Sequence, residues 1–376
     1  MQDNKKNDSS VVQICHGPLI PEYSSAYSLR CHSVIRNLKR TLISCGGAIF
    51  RDAKSGNSEQ YRSLILTALS LIRQNRSLEI YISRGKYLRR KYLRRLSELV
   101  HSSGVIIFEG PWQYPLVRDK IKDKLVVYDA HNVEYNLRNG NIYQDECKKV
   151  EGDLLERADI VFSVTKKDMN SFIEIYHVEE KKLYFAPHLI DVASAVWKGS
   201  DSNCIVFIGS VYSPNNSALD RIYDLAQKYP KYKFEIIGSV RSTRRHKPKN
   251  LVYHGSVDGP TKDEIMSRCF LALNPVTEGS GRNVKMIDYL AHGLPILSTP
   301  VGIRGLEGFD ISGSVVVSHP DQFGENIDKL AADRVVLKKM SANARELYEN
   351  ILKAEGSIDP EEIILKKYEE KNAMTY

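Results

Sequence analysis

Short runs rich in Val, Ile and Phe alternate along this chain with longer segments of helical periodicity, in two successive series. Strands that are apolar on both faces are typical of parallel sheets covered by helices on both sides. The first series lies at residues 11–15, 78–82, 104–110, 125–132, 158–164 and 182–188, and the second at 204–210, 232–239, 250–256, 269–275, 294–300 and 314–318. The pattern predicts an α/β protein with two Rossmann-like doubly wound domains.

The interval between the two series marks a domain boundary. We expect an N-terminal domain at residues 1–195, a second domain at 204–350, and a terminal helical segment at 351–376 that closes the fold. A chain of 376 residues is long enough for two hydrophobic cores. Because parallel sheets bind ligands at the carboxyl ends of their strands, we expect a cleft between the two domains to hold the active site.

The composition indicates a globular protein with a basic excess. Lys and Arg number 54 against 46 Asp and Glu, which gives a net charge of +8, and 42% of the residues are hydrophobic. No apolar run approaches the roughly 20 residues of a membrane span, and the polar N-terminus has no signal-peptide core, so we expect a cytoplasmic protein. The six cysteines include no C-x-x-C pair and are expected to be reduced.

The segment NPVTEGSGRNVKMIDYLAHGLPILSTPVG, residues 274–302, carries the strongest functional pattern. Its Gly-Ser-Gly turn, made of Gly279, Ser280 and Gly281, allows the backbone to approach a phosphate at the start of the following helix. Lys285 is then expected to face phosphate, and Asp288 to accept hydrogen bonds from ribose hydroxyls. The alternative is an ordinary βαβ unit in which these two side chains form a solvated pair.

The order of these elements resembles the nucleotide-sugar-dependent glycosyltransferases with the GT-B fold, and glycosyltransferase family 4 in particular. Further matching segments are DAHNVE at 129–134, ADIVFSVTKKD at 158–168, FIGSVYSPNN at 207–216 and FEIIGS at 234–239. The resemblance implies a hexosyltransferase that takes a sugar from a nucleotide donor, with retention of configuration, and passes it to a glycan or lipid-linked glycan.

The chemistry of such a reaction requires that the departing phosphate be neutralised. The chain contains no D-x-D metal motif, so we expect fixed cations to replace a metal ion. Arg282 and Lys285 are the candidates. The sequence therefore predicts metal-independent transfer, with no cofactor other than the nucleotide-sugar co-substrate.

The family resemblance also implies roles for four residues outside this helix. His131, with Asn132 beside it, is expected to face the donor sugar and the acceptor, and Glu278 to contact donor-sugar hydroxyls. Gly17, after the first strand, is expected to approach the donor phosphates. His131, Glu278 and Gly17 also have alternative interpretations, as a structural histidine, an exposed loop carboxylate and a simple turn glycine.

A basic segment at residues 84–100 has two interpretations. Read as a helix, it places Leu88, Tyr92, Leu96 and Leu99 on one face and basic residues broadly opposite. It could lie on an anionic membrane surface, which would make the protein peripheral on the inner face of the membrane. The alternative is a core-facing helix whose basic face is solvated.

Two other classes of function remain open. A nucleotide-sugar epimerase can use the same fold, but it needs paired acid and base carboxylates that the sequence does not identify. A non-catalytic or nucleic-acid-binding scaffold is suggested by the pI of 9.0 and the basic segment. Because no nucleic-acid-binding motif occurs, we expect no nucleic-acid partner.

Overall fold

The structure, a computed structural model, describes residues 10–17, 19, 26–35, 37–45, 52–63, 79–187, 197–211, 213–279, 282–355 and 358–373. The chain divides into two compact units, one formed by Met1–Pro187 with Ile358–Tyr376 and the other by His188–Ser357. Each unit is built on a largely parallel sheet. The predicted α/β class with two doubly wound sheets is confirmed.

The first unit contains an eight-stranded sheet in the order β3-β4-β2-β1-β5-β6-β7-β8. Its strands are β1 (Val11–Cys15), β2 (Arg40–Ser44), β3 (Ala53–Ser55), β4 (Ser58–Gln60), β5 (Val105–Phe108), β6 (Leu125–Ala130), β7 (Ile160–Ser163) and β8 (Leu183–Phe185). Only the β3–β4 pairing is antiparallel among the described strands. The strand order reverses at β1 and β5, which pair directly, so a topological switch point lies there.

The helices of the first unit are α1 (Ala26–Ser33), α2 (Ile80–Ser83), α3 (Arg90–Ser102), α4 (Tyr114–Val117), α5 (Glu134–Leu137), α6 (Gln144–Arg157), α7 (Lys166–Tyr176) and α13 (Pro360–Ala373). Local chemistry sets the ends of α7. The Thr165 side chain accepts from the Asp168 amide at its start, and His177 ends it in the left-handed region with φ 56°.

One predicted strand of the first unit is wrong. The run at 78–82 was expected to be a strand, but Ile80–Ser83 forms the short helix α2, and Leu78 lies outside the described residues. Ile80, Tyr81 and Ile82 are all buried. A short apolar run can be buried as either a strand or a helical turn, and periodicity cannot separate the two.

Helix α3 begins at Arg90, six residues later than the basic segment suggested. Its residues Tyr92, Leu96 and Leu99 are buried within the hydrophobic core of the first unit. The core-facing interpretation is therefore correct, and the apolar stripe does not face outward for insertion into a bilayer. Among the described residues, no helix is long and apolar enough to cross a membrane.

The second unit contains a six-stranded sheet in the order β11-β10-β9-β12-β13-β14, with every pairing parallel. The strands are β9 (Cys204–Ile208), β10 (Lys233–Ile237), β11 (Leu251–Gly255), β12 (Leu271–Asn274), β13 (Ile296–Ser298) and β14 (Val315–Val317). The helices are α8 (Ser213–Lys228), α9 (Gly259–Arg268), α10 (Val284–Ala291), α11 (Phe323–Ala332) and α12 (Arg334–Glu355). The switch point lies between β9 and β12.

Helix α10 is fixed to this switch point by one side chain. Its apolar residues from Met286 to Ala291 are buried, and the Tyr289 hydroxyl accepts from the Ile208 amide at 2.9 Å and donates to the Leu273 carbonyl at 3.3 Å. Tyr289 thus joins the helix to β9 and β12 at once. Gly293 follows the helix with φ 67°, a left-handed conformation that glycine adopts without strain.

The cysteines of the chain are unbridged, as the sequence indicated. All six, Cys15, Cys31, Cys45, Cys147, Cys204 and Cys269, are free thiols, and all except Cys204 are buried.

Candidate functional site

In the second unit, the predicted donor-binding side chains of α10 lie at the carboxyl ends of β9 and β12. The Lys285 Nζ donates to the Asn215 Oδ1 at 2.7 Å. The same ammonium lies 4.4 Å from the centroid of the Phe207 ring, in a cation–π contact. Asn215 belongs to the first turn of α8, so Lys285 joins the starts of two helices at the switch point.

The electrostatic environment of Lys285 favours an anionic ligand. Burial, with a smaller contribution from the charge of Arg304, lowers the pKa of Lys285 from 10.5 to about 7. In the part of the chain that the structure describes, no carboxylate lies within ion-pair distance of this ammonium. A phosphate at this position would supply the missing negative charge and would raise the pKa of the lysine again.

The turn before α10 is tied to the segment that follows β13. The Arg304 guanidinium donates to the Gly279 carbonyl at 2.5 Å, and the Asn283 amide donates to the Arg304 carbonyl at 3.2 Å. Gly279 has φ 114°, a conformation in which other residues are strained. The other two residues of the predicted turn, Ser280 and Gly281, lie outside the described residues.

The predicted phosphate ligand Arg282 is buried. Its aliphatic chain packs against Gly305, where a Cβ atom would overlap the Arg282 side chain. Gly305 has φ 87°, so both its conformation and this contact require glycine. The structure therefore places Arg282 beside the turn as a packed side chain.

Asp288 is a buried carboxylate held by two basic side chains. The Lys262 Nζ donates to its two oxygens at 2.9 and 2.8 Å, and the His292 Nδ1 lies 3.3 Å from its Oδ1. Burial alone would raise the pKa of Asp288, but the hydrogen bond from His292 and the charge of Lys262 outweigh it, and the pKa is lowered. Lys285 and Asp288 thus have separate partners and are not a solvated pair.

His292 extends this network to a second carboxylate. Its Nε2 lies 2.9 Å from the Asp263 Oδ1, and only 1% of the residue is exposed. Burial would lower the pKa of His292, but hydrogen bonds to Asp288 and Asp263 reverse the effect and raise the pKa above its ordinary value. His292 is therefore stabilised as an imidazolium that fixes the orientation of Asp288.

Glu278, the predicted contact to the donor sugar, is exposed at the end of the loop that follows β12. Its carboxylate makes no hydrogen bond or ion pair with a described residue. This placement agrees equally with a ligand-binding group and with an exposed loop carboxylate.

In the first unit, the predicted His131 lies in a polar cluster at the carboxyl ends of β1, β5 and β6. The His131 Nε2 lies 2.7 Å from the Glu109 Oε2. The Tyr27 ring packs between two imidazoles, with centroid distances of 4.8 Å to His131 and 4.6 Å to His16. Asn132 directly follows His131 and is partly buried. The cluster adjoins the β1–β5 switch point.

Gly17, the predicted phosphate contact, has a packing reason to be glycine. A Cβ at this position would lie 2.7 Å from the Tyr27 Cε1. The Gly17 carbonyl accepts from the Ser44 hydroxyl at 2.6 Å. Tyr27 therefore leaves no room for a larger residue here, whether or not a ligand approaches.

The ionisable groups around His131 are strongly affected by burial. Burial lowers the pKa of His131 to about 4 and that of His16 to about 3, so both rings are neutral near pH 7. Asp129 forms a buried ion pair with Arg30, whose Nε lies 3.0 Å from each carboxylate oxygen. Burial raises the pKa of Asp129 to about 6, although the charge of Arg30 opposes the shift.

Within the described residues, one group could offer three ligand atoms to a metal ion. The candidate atoms of Cys31, Glu109 and His131 lie within 4.8 Å of one another. Burial holds the pKa of Cys31 well above 9.0, so its thiol stays protonated, and Arg40 and Arg30 contribute positive charge nearby. These properties suit a network of hydrogen bonds better than a cation site.

Several residues of these two clusters were not predicted from the sequence: His16, Tyr27, Glu109, Asn215, Lys262 and His292. For two of them a signal was present. His16 directly follows β1 and Glu109 directly follows β5, at the strand ends where parallel sheets bind ligands. Asn215 and Lys262 reach the site from other helices, which only the tertiary structure reveals.

Comparison with known proteins gives a family match within the second unit. Residues 202–333 match the model of the family described as glycosyl transferases group 1. An uncharacterised 44.6 kDa protein in the cps region of Klebsiella pneumoniae is 22% identical over 212 residues, which cover 49% of this chain and 54% of that protein. The match thus spans about half the length of this relative.

Solved structures resemble nearly the whole chain. Sucrose-phosphate synthase from Thermosynechococcus elongatus has a TM-score of 0.67 at 11% identity, covering 98% of this chain and 99% of that one. Anabaena HepE in complex with UDP-glucose has a TM-score of 0.64 at 11% identity, covering 97% of this chain and 99% of that one. TarM has a TM-score of 0.65 at 11% identity, covering 96% of this chain and 98% of that one.

These likenesses show the fold of the protein. The fold is that of the GT-B glycosyltransferases, and the match to glycosyl transferases group 1 falls on the unit that contains Lys285 and Asp288. The resemblance to GT-B glycosyltransferases stated from the sequence is confirmed, while membership of family 4 remains a prediction. The family match and the fold together support a glycosyltransferase.

Proposed function

We propose that this protein transfers a hexose-like sugar from a nucleoside-diphosphate sugar to a glycan acceptor. The observation that carries the proposal is the environment of Lys285, a partly buried ammonium at the β9–β12 switch point. No described carboxylate neutralises it, and its partners are the Asn215 amide and the Phe207 ring. A donor diphosphate at this position would complete the charge balance.

The roles of the other groups follow from the same arrangement. Cleavage of the sugar–phosphate bond leaves negative charge on the departing diphosphate, which Lys285 would stabilise. Asp288, held ionised by Lys262 and His292, would accept hydrogen bonds from ribose hydroxyls. His131 in the first unit would contact the reacting sugar.

The nucleotide and the acceptor are further parts of the proposal. The Anabaena HepE structure contains UDP-glucose, and another GT-B structure from E. coli contains UDP-2-fluoro glucose, so UDP is the first donor nucleotide to test. The Klebsiella relative is described by its place in a cps region. This description favours a glycan acceptor in polysaccharide biosynthesis.

Retention of configuration and independence from metal ions are also proposed. Retention rests on the family 4 resemblance, and metal independence on fixed cations in place of a D-x-D motif. NMR of the product would reveal an inverted linkage, which would contradict retention of configuration. Activity that disappears in EDTA and returns with manganese would contradict independence from metal ions.

A peripheral membrane location would suit a lipid-linked acceptor. On α3 and the residue before it, Arg89 and Lys91 contact Asp52 at 2.6 and 3.3 Å, and Arg95 contacts Glu59 at 2.9 Å. These internal pairs reduce the positive charge available to lipids. Attachment would therefore depend on the remaining basic side chains.

The exposed cations Arg90 and Arg94 test that attachment. Reversing both charges should release the protein from anionic vesicles, and wild-type binding should weaken as salt rises, because the attraction is screened over about 8 Å at physiological ionic strength. UDP affinity should not change. Equal binding to neutral and anionic vesicles, or none, would indicate a soluble acceptor.

The central experiment combines donor binding with turnover. Calorimetry should show UDP binding to the wild-type protein and much weaker binding to Lys285→Ala, and a panel of nucleotide sugars should identify one that is slowly hydrolysed. A scaffold would bind no nucleotide, and an epimerase would convert the donor sugar without releasing UDP. Either result would replace the proposed function.

A further inference from the structure

Glu151, a fully buried carboxylate on α6, accepts four hydrogen bonds in the first unit. Its Oε1 accepts from the Tyr128 hydroxyl at 3.0 Å and from the backbone amide of Glu134 at 3.0 Å. Its Oε2 accepts from the backbone amide of Tyr135 at 3.2 Å and from the Tyr176 hydroxyl at 2.6 Å. Two of the donors are therefore backbone amides, and they belong to the first two residues of α5.

The residue before α5 cannot bind these amides itself. The first amides of a helix have no partner within the helix, and a Ser, Thr, Asp or Asn side chain at the preceding position commonly binds one of them. Here that position is occupied by Val133, whose side chain has no acceptor and packs in the hydrophobic core. Glu151 thus supplies from α6 the acceptor atoms that Val133 lacks.

The same carboxylate holds both ends of the segment that carries His131. This segment, residues 131–133, connects the end of β6 to the start of α5. The Tyr128 hydroxyl comes from β6 and the Glu134 amide from α5, and both donate to one oxygen of Glu151. Glu151 therefore fixes the segment where it leaves the sheet and where it enters the helix. The positions of His131 and Asn132 depend on both contacts.

The need for two accepting oxygens does not depend on the charge of Glu151. Burial and, to a smaller extent, the charge of Glu134 raise the pKa of Glu151 to about 7, while its hydrogen bonds oppose the rise. A proton taken up by the carboxyl group can be donated to a tyrosine oxygen, since a hydroxyl both donates and accepts. A backbone N–H can only donate, so each carboxyl oxygen accepts from an amide in either state.

We propose that Glu151 is a positioning residue that holds the 131–133 segment in place by binding the backbone amides of Glu134 and Tyr135. The inference rests on the proposed function for its effect on turnover, because it takes His131 and Asn132 as residues that meet the reacting sugar. It does not rest on the proposed function for the contact itself. Glu151 acts through this segment and does not touch the substrate.

The variant Glu151→Gln tests the contact sharply, because it is nearly isosteric. In either orientation of the new side chain, its NH₂ replaces an oxygen that accepts from one of the two backbone amides. A tyrosine hydroxyl that faces this NH₂ can turn and accept, but a backbone N–H cannot. The substitution should therefore break one backbone contact while the buried volume stays nearly the same.

Amide hydrogen exchange of Glu134 and Tyr135, followed by ¹H–¹⁵N NMR, reports the contact directly. Both amides should be protected in the wild type, although amides at the start of a short helix ordinarily exchange readily. In Glu151→Gln at least one of them should exchange at least about tenfold faster. Fast exchange of both amides in the wild type, or unchanged exchange in the variant, would overturn the proposal.

Kinetics provides the second measurement. A displacement of about 1 Å near a reacting centre can cost on the order of a hundredfold in rate. Glu151→Gln should lower kcat by at least about tenfold while the KM for the donor stays within about twofold, because the predicted nucleotide-binding residues lie in the second unit. A wild-type kcat in a variant whose amides exchange fast would overturn the positioning role.

Tyr176→Phe is the matched control. It removes a donor to the same buried carboxylate but leaves both backbone contacts of α5 in place. Urea denaturation should show a loss of stability, while kcat and the exchange of the two amides should stay within about twofold of the wild type. If Tyr176→Phe loses as much turnover as Glu151→Gln, Glu151 is only structural.

Glu151→Asp provides a milder second variant. It keeps two acceptor oxygens but withdraws them by one methylene group, so both the faster exchange and the lower kcat should be present and smaller than in Glu151→Gln. Faster exchange of the amides together with a wild-type kcat would again overturn the positioning role.

The two proposals can fail separately. A wild-type protein that transfers no sugar and binds no UDP would contradict the proposed function, while the exchange experiment would still test the contact of Glu151 with α5. A wild type that transfers sugar, with a Glu151→Gln variant equal to it in kcat and in amide exchange, would contradict this inference alone.

Discussion

Lys262 and Asp288 form a two-point ion pair, with the lysine Nζ 2.9 and 2.8 Å from the two carboxylate oxygens. The lysine comes from α9 and the aspartate from α10, so the contact orients a carboxylate between two helices. Oδ1 is also 3.3 Å from the His292 Nδ1, whereas Oδ2 keeps a further lone pair that can accept a ligand hydroxyl. The ion pair makes Asp288 a structural group as well as a predicted ligand of ribose.

Asp288→Asn should therefore reduce both stability and UDP affinity. The substitution leaves Lys262 and His292 without their shared carboxylate, a loss of about 3 kcal/mol for a buried pair. Urea denaturation and calorimetry measure the two effects. Asp263→Asn is the matched control, because Asp263 contacts the His292 Nε2, away from Asp288, and should affect stability but not affinity. Equal loss of affinity in both would assign Asp288 a structural role alone.

The stabilisation supplied by His292 should depend on pH. Its folded pKa is raised above 6.5 by Asp288 and Asp263, so its contribution is complete below that value and is lost as the pH rises through the folded pKa. The difference in unfolding free energy between wild type and His292→Asn should shrink from pH 5.5 to pH 8.5. A difference that grows over this interval would contradict the imidazolium assignment.

UDP binding should be accompanied by proton uptake through Lys285. The free protein holds the pKa of this lysine at about 7, and the diphosphate should raise it. At pH 8, binding enthalpies measured in buffers of different ionisation enthalpy should therefore differ, and affinity should fall as the pH rises above 7. Lys285→Met should abolish the buffer dependence and weaken binding by about 1.5–3 kcal/mol. Buffer-independent enthalpies in the wild type would contradict this role.

His131→Ala should reduce turnover far more than donor affinity, because the ring lies in the first unit and the predicted nucleotide-binding residues lie in the second. Steady-state kinetics and calorimetry with UDP separate the two effects. Thermal unfolding supplies the control, since the alanine also removes the ring packed on Tyr27. A loss of stability without a specific loss of kcat would favour a structural histidine.

Gly17→Ala should destabilise the first unit by about 1–3 kcal/mol, because the added methyl group meets the Tyr27 ring. Combining it with Tyr27→Leu, which removes the ring, should recover part of the loss. If the glycine is needed only for close approach of a phosphate, the single variant will fold normally and lose only donor affinity.

Much of the fold could be predicted from the sequence because parallel strands buried on both faces give continuous apolar runs. The six strands of the second sheet were identified in this way. The same pattern is absent from β2, whose sequence RTLIS begins with Arg40, and the apolar run at Ile80 to Ile82 is helical. In these cases burial is decided by tertiary contacts that a local pattern does not contain.

Residues of the candidate site could be predicted only where a recognisable sequence motif lies at the end of a predicted strand. Lys285, Asp288 and His131 lie in segments with a recognisable order, whereas Lys262 and Asn215 reach the site from helices distant in sequence. Glu109 was visible as the residue after β5, but nothing local showed that it would meet His131. The packing of helices and strands decides which side chains meet a site residue. The spacing of residues along the chain does not show this packing.

The Tyr289 hydroxyl connects β9 and β12 by two hydrogen bonds. It accepts from the Ile208 amide and donates to the Leu273 carbonyl. The amide of Ile208 should consequently exchange with solvent only when the whole unit opens, and Tyr289→Phe should make that exchange fast. Because the Tyr289 hydroxyl ties helix α10 to both strands, a nucleotide that binds there would meet a rigid surface. Its affinity would then reflect the contacts it makes, undiminished by the entropy of ordering its own binding helix.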